Sequence, residues 1–374
     1  MIFKADTSLM NTPLLINTAK ALFADHKGLL AMDESNPTCN KRFAKLNILQ
    51  TVEARRAYRE LIITTPGLGE CIGGVILYDE TIRQQKQDGT PFLKILGDAG
   101  IVPGIKVDTG AKDLAAHPGE KITEGLDGLR DRLAEYFQMG ARFAKWRAVI
   151  ISGKGIPSRS CIEANAHALV RYAALCQEAG LVPIVEPEVM MGGDHSLEVC
   201  RKVTEEVLRN VFIQLNCQRV LLEGMILKPN MVLPGLTCPP HQEIKGVGVG
   251  EQQYQVRLTD RQPDKEQDID EVADITVKSL WRTVPAAVPG IAFLSGGQSA
   301  ELASARLNMM NLRFKSQLPW ALSFSFARAI QQPALEIWRG QEANVKAAQQ
   351  ALLHRAQCNR AARRGEYTAA MEKK

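Results

Sequence analysis

Eight short apolar runs punctuate the chain: Gly28–Met32, Ile72–Tyr78, Val102–Ile105, Phe143–Trp146, Leu181–Val185, Val220–Leu227, Ile291–Leu294 and Ala321–Phe324. Each is too short for a core helix and reads as a strand buried on both faces. Between them lie stretches whose apolar residues recur at helical spacing, among them Glu53–Thr64, Gly125–Met139, Cys161–Glu178, Leu197–Gln214, Asp270–Arg282 and Ala300–Leu312. Strands that alternate with helices pair in parallel through crossover units. Eight such units predict a closed (β/α)8 TIM barrel of the α/β class rather than an open sheet. A last amphipathic stretch, Pro333–Gln357, predicts extra terminal helix outside the barrel. The whole chain, residues 1–374, therefore reads as one barrel domain.

One stretch breaks the rhythm. Pro239 to Asp268 is Gly-rich and charged, with no apolar face wide enough for a core helix. Within it Tyr254, Val256 and Leu258 alternate with polar residues, as in a strand. It follows the sixth strand, so it reads as an insertion in a loop on the catalytic side.

In such barrels the functional groups sit at the C-terminal ends of the strands. The first run ends in Asp33-Glu34-Ser35, the third in Lys106, the fifth in Glu186-Pro187-Glu188, and the sixth in Lys228-Pro229-Asn230. The fourth contains Lys145 and leaves through Arg147, the seventh ends in Ser295-Gly296-Gly297, and the eighth is followed by Ser325 and Arg328. A single lysine or glutamate at a strand end is usually a solvated loop residue, but so many at one end form a rim. Lys145 interrupts an apolar run, and buried lysines are rare unless paired. Burial and neighbouring cations lower a lysine pKa and free the amine to attack carbonyls, so three rim lysines suit imine chemistry. Ser295-Gly296-Gly297 before a helix suits a phosphate, because glycine lets the backbone approach and a helix N-terminus favours an anion. Arg328 adds a guanidinium fork for the same phosphate.

Composition narrows the field. Apolar residues make up 45% of the chain and charged residues 23%, an ordinary globular balance. The net charge of +5 is too small, and too evenly spread, to argue for nucleic acid. No run of about 20 apolar residues exists to cross a membrane. Eight scattered cysteines without a C-x-x-C pair read as reduced thiols. The start lacks a signal-peptide pattern. A cytoplasmic setting is expected, or a plastid if a transit peptide has been removed. None of the six histidines forms a paired motif, which argues against a His-bound zinc. Only His195 and His241 fall in loops on the catalytic side. A carboxylate-bound Mg²⁺ stays open on spacing alone.

Seven blocks in order carry a resemblance: Leu30 to Ser35, Cys71 to Leu77, Gly104 to Asp108, Phe143 to Arg147, Val182 to Glu188, Leu227 to Met231 and Phe293 to Ser299. Together they resemble class I fructose-bisphosphate aldolase, from about Thr18 to Thr368. The resemblance implies reversible cleavage of fructose 1,6-bisphosphate to dihydroxyacetone phosphate and glyceraldehyde 3-phosphate. It implies Lys228 as the Schiff-base lysine, Glu186 as the proton shuttle of carbinolamine dehydration, and Asp33 as the group acting on the C4 hydroxyl. Lys145 would polarise the site, with Glu188 and Lys106 as its partners. Ser295, Gly296 and Arg328 would hold one phosphate. Ser35, Thr38, Lys106 and Arg42 would hold the other, and Arg147 and Arg55 lie in matching blocks as substrate ligands. No metal or other cofactor is implied, and the family is usually tetrameric. A sister sugar-phosphate aldolase, or a scaffold binding the cytoskeleton, are the alternatives; a scaffold need not keep Asp33, Lys145, Glu186 and Lys228 together.

The chain departs from the family pattern in places. Thr38 stands where Ser is usual, and Ala327 where Gly is usual before the phosphate-binding arginine, which is expected to be harmless at a negative φ. The 239–268 insertion exceeds the usual loop. The terminal tyrosine tail of the animal enzymes is not found; Tyr367 matches a residue ahead of it. Protonation of the enamine is then expected to limit turnover, or to fall to another group, such as Tyr254, or to water.

Overall fold

In the computed structural model, which describes residues 7–239 and 265–373, the apolar runs become a closed parallel barrel. Helix α1 (Thr7–Ala21) precedes β1 (Gly28–Ala31), which leads into α2 (Asn36–Ala44) and α3 (Val52–Ile63). Then come β2 (Ile72–Leu77), α4 (Asp79–Ile82), α5 (Phe92–Asp98) and β3 (Val102–Lys106). A hairpin of β4 (Gly110–Asp113) and β5 (Lys121–Glu124) leads to α6 (Leu129–Met139) and β6 (Phe143–Ile150). The chain continues through α7 (Arg159–Glu178), β7 (Val182–Val189), α8 (Leu197–Cys217) and β8 (Ile226–Leu227). It ends with α9 (Lys265–Thr283), β9 (Gly290–Phe293), α10 (Ala300–Phe314), β10 (Ala321–Phe326), α11 (Arg328–Trp338) and α12 (Val345–Arg364). Around the barrel the order is β1-β10-β9-β8-β7-β6-β3-β2, and β2 pairs back onto β1.

The strands are buried on both faces, which explains their unbroken apolar signature. Outward residues such as Trp146 pack under the helix layer, where its ring lies 5.6 Å from that of Tyr172. Inward residues Leu29, Ala31, Ile76, Phe143, Val182, Ile184, Ile226 and Ala292 form an inner core with Leu15, Ala19, Leu22 and Phe23 from α1 and the turn after it. α1 thus plugs the bottom of the barrel. Glycine is needed there for space: a Cβ on Gly104 would lie 2.2 Å from the Phe143 ring, and one on Gly73 would lie 2.3 Å from the Leu22 carbonyl oxygen. Helices begin where a hydroxyl can cap them. Ser158, Ser196 and Ser299 accept from the backbone N–H of Cys161, Val199 and Leu302, opening α7, α8 and α10.

Several boundaries differ from expectation. The sixth strand is only Ile226–Leu227, because Leu222–Gly224 forms a 3-10 turn. The helix expected from Gly125 starts at Leu129, after Gly128 at φ 65°. The Pro333–Gln357 stretch splits into α11 and α12 at Arg339 and Gly340, with φ of 47° and 76°. The β4–β5 hairpin is not expected from the sequence, because its strands are four residues each and carry no apolar alternation. The expected insertion lies largely outside the described residues, as do His241 and Tyr254.

Candidate active site

Strand alternation places the chemistry. Lys145, Arg147 and Val149 share one face of β6, and Glu186 and Glu188 share the same face of β7. In register, Lys106 of β3 lies opposite Lys145, Arg147 opposite Glu186, and Val149 opposite Glu188. Lys228 immediately follows β8, its N–H bonded to the Val185 carbonyl at 2.8 Å. Asp33 lies just past β1, Ser295 just past β9, and Arg328 opens α11 after β10. These groups line a cavity of about 500 Å³ at the C-terminal mouth of the barrel.

At its floor four charged groups form a chain. Lys145 Nζ lies 2.6 Å from Asp33 Oδ2 and 3.3 Å from Glu186 Oε2. The other Glu186 oxygen lies 3.3 Å from Lys228 Nζ. Lys145, Glu186 and Lys228 are each only 3% exposed, so water cannot screen their charges. Burial alone would lower the Lys145 pKa, but Asp33 and Glu186 overcome it and push it well above the usual lysine range. This corrects the expectation that burial frees that amine: Lys145 is locked as a cation. Burial alone would raise Asp33 and Glu186, yet Lys145 first, then Lys228, hold both carboxyls below the usual range.

Above the floor, Arg147 pairs with Glu188 through Nε, and its Nη2 meets Met190 Sδ at 3.4 Å. Lys106 Nζ sits 2.8 Å from Asp108 Oδ1 and donates to the Asp108 carbonyl at 2.7 Å. Two ends of the cavity suit anions. At one, Gly296 and Gly297 take φ of 58° and 92°, beside Ser295. Successive backbone N–H groups in such a turn make an anion-binding concavity. A Cβ on Gly297 would lie 3.5 Å from Arg328 Nη2, so the guanidinium borders that turn. Ala327 has φ −105° and ψ −86°, so its φ is on the negative side expected for a tolerated side chain. At the other end, Ser35 stands at the N-cap position of α2 without a side-chain capping bond, and its hydroxyl lies 3.1 Å from that of Thr38. Arg42 pairs with Glu34, while its buried Nη2 has no hydrogen-bond partner.

Of the expected site residues, Arg55 alone is not on the cavity wall. It is buried behind α2, bonded to Glu80 and Asn40. Glu34 and Asp108, which sequence reasoning left without a role, do line the cavity. Glu34 accepts from Arg42, from Arg59 at 2.9 Å and from Gln331 at 3.1 Å. Both acids stand inside the strand-end blocks, and that position was the available signal. His195 lies in the loop after β7, as expected, but is buried and off the cavity wall. Among the described residues, the metal-spaced cluster His354, Cys358 and Glu372 also lies elsewhere, and Arg355 already occupies both Glu372 oxygens.

The chain matches the family model for class-I fructose-bisphosphate aldolase over residues 14–252 and 253–374. It is 52% identical over 359 residues to a probable fructose-bisphosphate aldolase class 1 of Xanthomonas campestris, covering 96% of this chain and 99% of that one. It is 48% identical to the cytosolic fructose-bisphosphate aldolase 6 of Arabidopsis thaliana, over 94% of this chain and 91% of that one. It also superposes, with TM-score 0.86 and 42% identity, on fructose-bisphosphate aldolase from Plasmodium falciparum in a ternary crystal with TRAP and a small-molecule inhibitor. That match covers 98% of this chain and 97% of that one. With its parallel barrel and a charged cavity at the strand ends, this chain belongs to the class-I fructose-bisphosphate aldolase family.

Proposed function

We propose that the chain cleaves fructose 1,6-bisphosphate reversibly through an imine on Lys228. The observation that carries this reading is the unequal pairing of the two floor lysines. Lys145 touches two carboxylates and stays cationic, whereas Lys228 touches one oxygen of Glu186. Two carboxylates withhold the Lys145 amine from attack and make it the fixed positive charge, and Lys228, which meets a single carboxylate oxygen, is the nucleophile.

Lys228 passes a proton to Glu186, which bridges both lysines; the freed amine adds to C2 of the ketose, and Glu186 returns the proton to the carbinolamine hydroxyl, which leaves as water. The resulting iminium is the electron sink. The C3–C4 bond breaks, its electron pair moves into an enamine, and the proton of the C4 hydroxyl passes to the Asp33 carboxylate. Glyceraldehyde 3-phosphate leaves. Protonation at C3 and hydrolysis then release dihydroxyacetone phosphate and restore the lysine. Asp33 suits the base role because Lys145 keeps it ionised. Ser295, Gly296 and Arg328 hold the C1 phosphate, since β9, which leads into that loop, pairs with β8, the strand that ends just before Lys228. Ser35, Thr38, Lys106 and Arg42 hold the C6 phosphate across the cavity, and Arg147 and Glu188 contact the sugar between. A homotetramer in the cytoplasm completes the reading, with the cytosolic Arabidopsis relative in support of the location.

Because the imine accepts the electrons, no Lewis acid is needed. Purified protein should cleave fructose 1,6-bisphosphate in excess EDTA, and Lys228→Met should lose that activity while keeping its fold. Activity lost to the chelator and regained with zinc would contradict the reading.

A further inference from the structure

Helix α2 delivers Thr38 and Arg42 to the cavity and begins at Ser35, so whatever sets α2 sets the anion site at that end. An ion pair outside the cavity, with its arginine buried and its glutamate partly so, grips this helix. Arg55, on α3, donates through Nε and Nη2 to the two oxygens of Glu80 at 2.8 and 2.7 Å. Its Nη1 donates to Asn40 Oδ1 at 3.0 Å. Glu80, on α4 just after β2, also accepts from Asn36 Nδ2 at 2.9 Å. Asn36 and Asn40 stand one turn apart on α2, so the pair holds that helix at two points along one face. Arg55 is 7% exposed, and Nε, Nη1 and Nη2 are all engaged away from the cavity. A planar fork that spans two acceptors fixes orientation in a way a single charge does not.

We propose that Arg55 and Glu80 are positioning residues for the phosphate remote from the imine, acting through α2, and that Arg55 is not a ligand. The proposal rests on the assignment of the α2 end to the C6 phosphate. Fructose 1-phosphate lacks that group, so it separates this effect from general damage. A ligand role and a positioning role also predict opposite results at Glu80. If Arg55 touched substrate, removing its counter-charge would free the cation and tighten binding. If it positions α2, Glu80→Gln should mimic loss of Arg55.

The test is steady-state kinetics of Arg55→Met, Glu80→Gln, the double variant and Thr38→Val with both substrates. Asn36→Ala, which removes one bond of the clamp, serves where Arg55→Met does not fold. Arg55→Met and Glu80→Gln are each expected to raise KM for fructose 1,6-bisphosphate by about tenfold, the scale of a charge-assisted contact. Asn36→Ala should raise it less. KM for fructose 1-phosphate and kcat for both substrates should hold, and the double variant should be no worse than either single one. A lower bisphosphate KM in Glu80→Gln, additive effects, or equal losses with both substrates would overturn the proposal. If Thr38→Val raises the bisphosphate KM and Arg55→Met does not, the clamp fails while the phosphate assignment stands. If neither moves it, the assignment itself is wrong and the clamp falls with it.

Discussion

Strands β6 and β7 each carry two chemistries on one inward face. Their lower halves supply Phe143, Val182 and Ile184 to the apolar plug shared with α1. Their upper halves supply Lys145, Arg147, Glu186 and Glu188 to the cavity. Both regions are buried, yet burial acts in opposite senses. Below, it removes apolar surface from water and stabilises the fold. Above, it strips several charges of water, at a cost of several kcal/mol per ion that only mutual pairing offsets. The lower half is built for packing; the upper half is tolerated because each charge has a partner at hydrogen-bond range. In the proposed reaction the same pairing sets the roles: Lys145 is held cationic and Asp33 anionic, which gives proton transfer a direction.

The sharpest way to break this contrast is Lys145→Met. It leaves Asp33 and Glu186 buried without their shared cation, which should cost about 3–5 kcal/mol of stability in denaturant melts. Activity should collapse as well, because Asp33, the base proposed for cleavage, loses the charge that keeps it ionised. A variant as stable as the parent would mean that the floor charges are solvated. Arg328→Ala tests the upper half without touching the fold. It removes an exposed rim guanidinium, so stability should hold. KM should rise about tenfold or more, from the loss of roughly 1.5–3 kcal/mol of charged hydrogen bonding. An unchanged KM would place the phosphate elsewhere. Gly104→Ala tests the lower half: its Cβ would meet the Phe143 ring, and overpacking should cost about 1–3 kcal/mol with kcat retained.

How much of this was visible beforehand differs between the two halves. The barrel strands were legible because burial on both faces writes an unbroken apolar run. Lys145 was legible because it interrupts such a run. The direction of its pKa was not, since no spacing reveals that Asp33 and Glu186, 153 residues apart in sequence, both reach it. Arg55 sits in a matching block, but its partner Glu80 approaches from another crossover unit, so its withdrawal from the cavity could not be read. In the β4–β5 hairpin, β4 faces solvent and β5 is only four residues long, so neither leaves a periodic apolar trace.

A smaller effect sharpens the comparison by pH. Asp33 and Glu186 have folded pKa values below their ordinary 3.8 and 4.5. Their stabilisation is therefore fully present above those values and lost as pH falls toward the folded ones. Lys145 has a raised value, so its share is full below the ordinary 10.5 and is lost only as pH rises through its folded value. The parent should be flat through neutral pH and weaken in acid. Replacing Glu186 with Gln should shrink the acid limb, and an unaltered limb would assign acid sensitivity to other carboxylates.

The central claim is that Lys228, and not Lys145, becomes covalently bound. Incubation of the intact protein with dihydroxyacetone phosphate and borohydride, followed by peptide mass mapping, reads this directly. The adduct is expected on the peptide containing Lys228, and to vanish in Lys228→Met. An adduct on Lys145, or none at all in protein that cleaves substrate, would contradict the account.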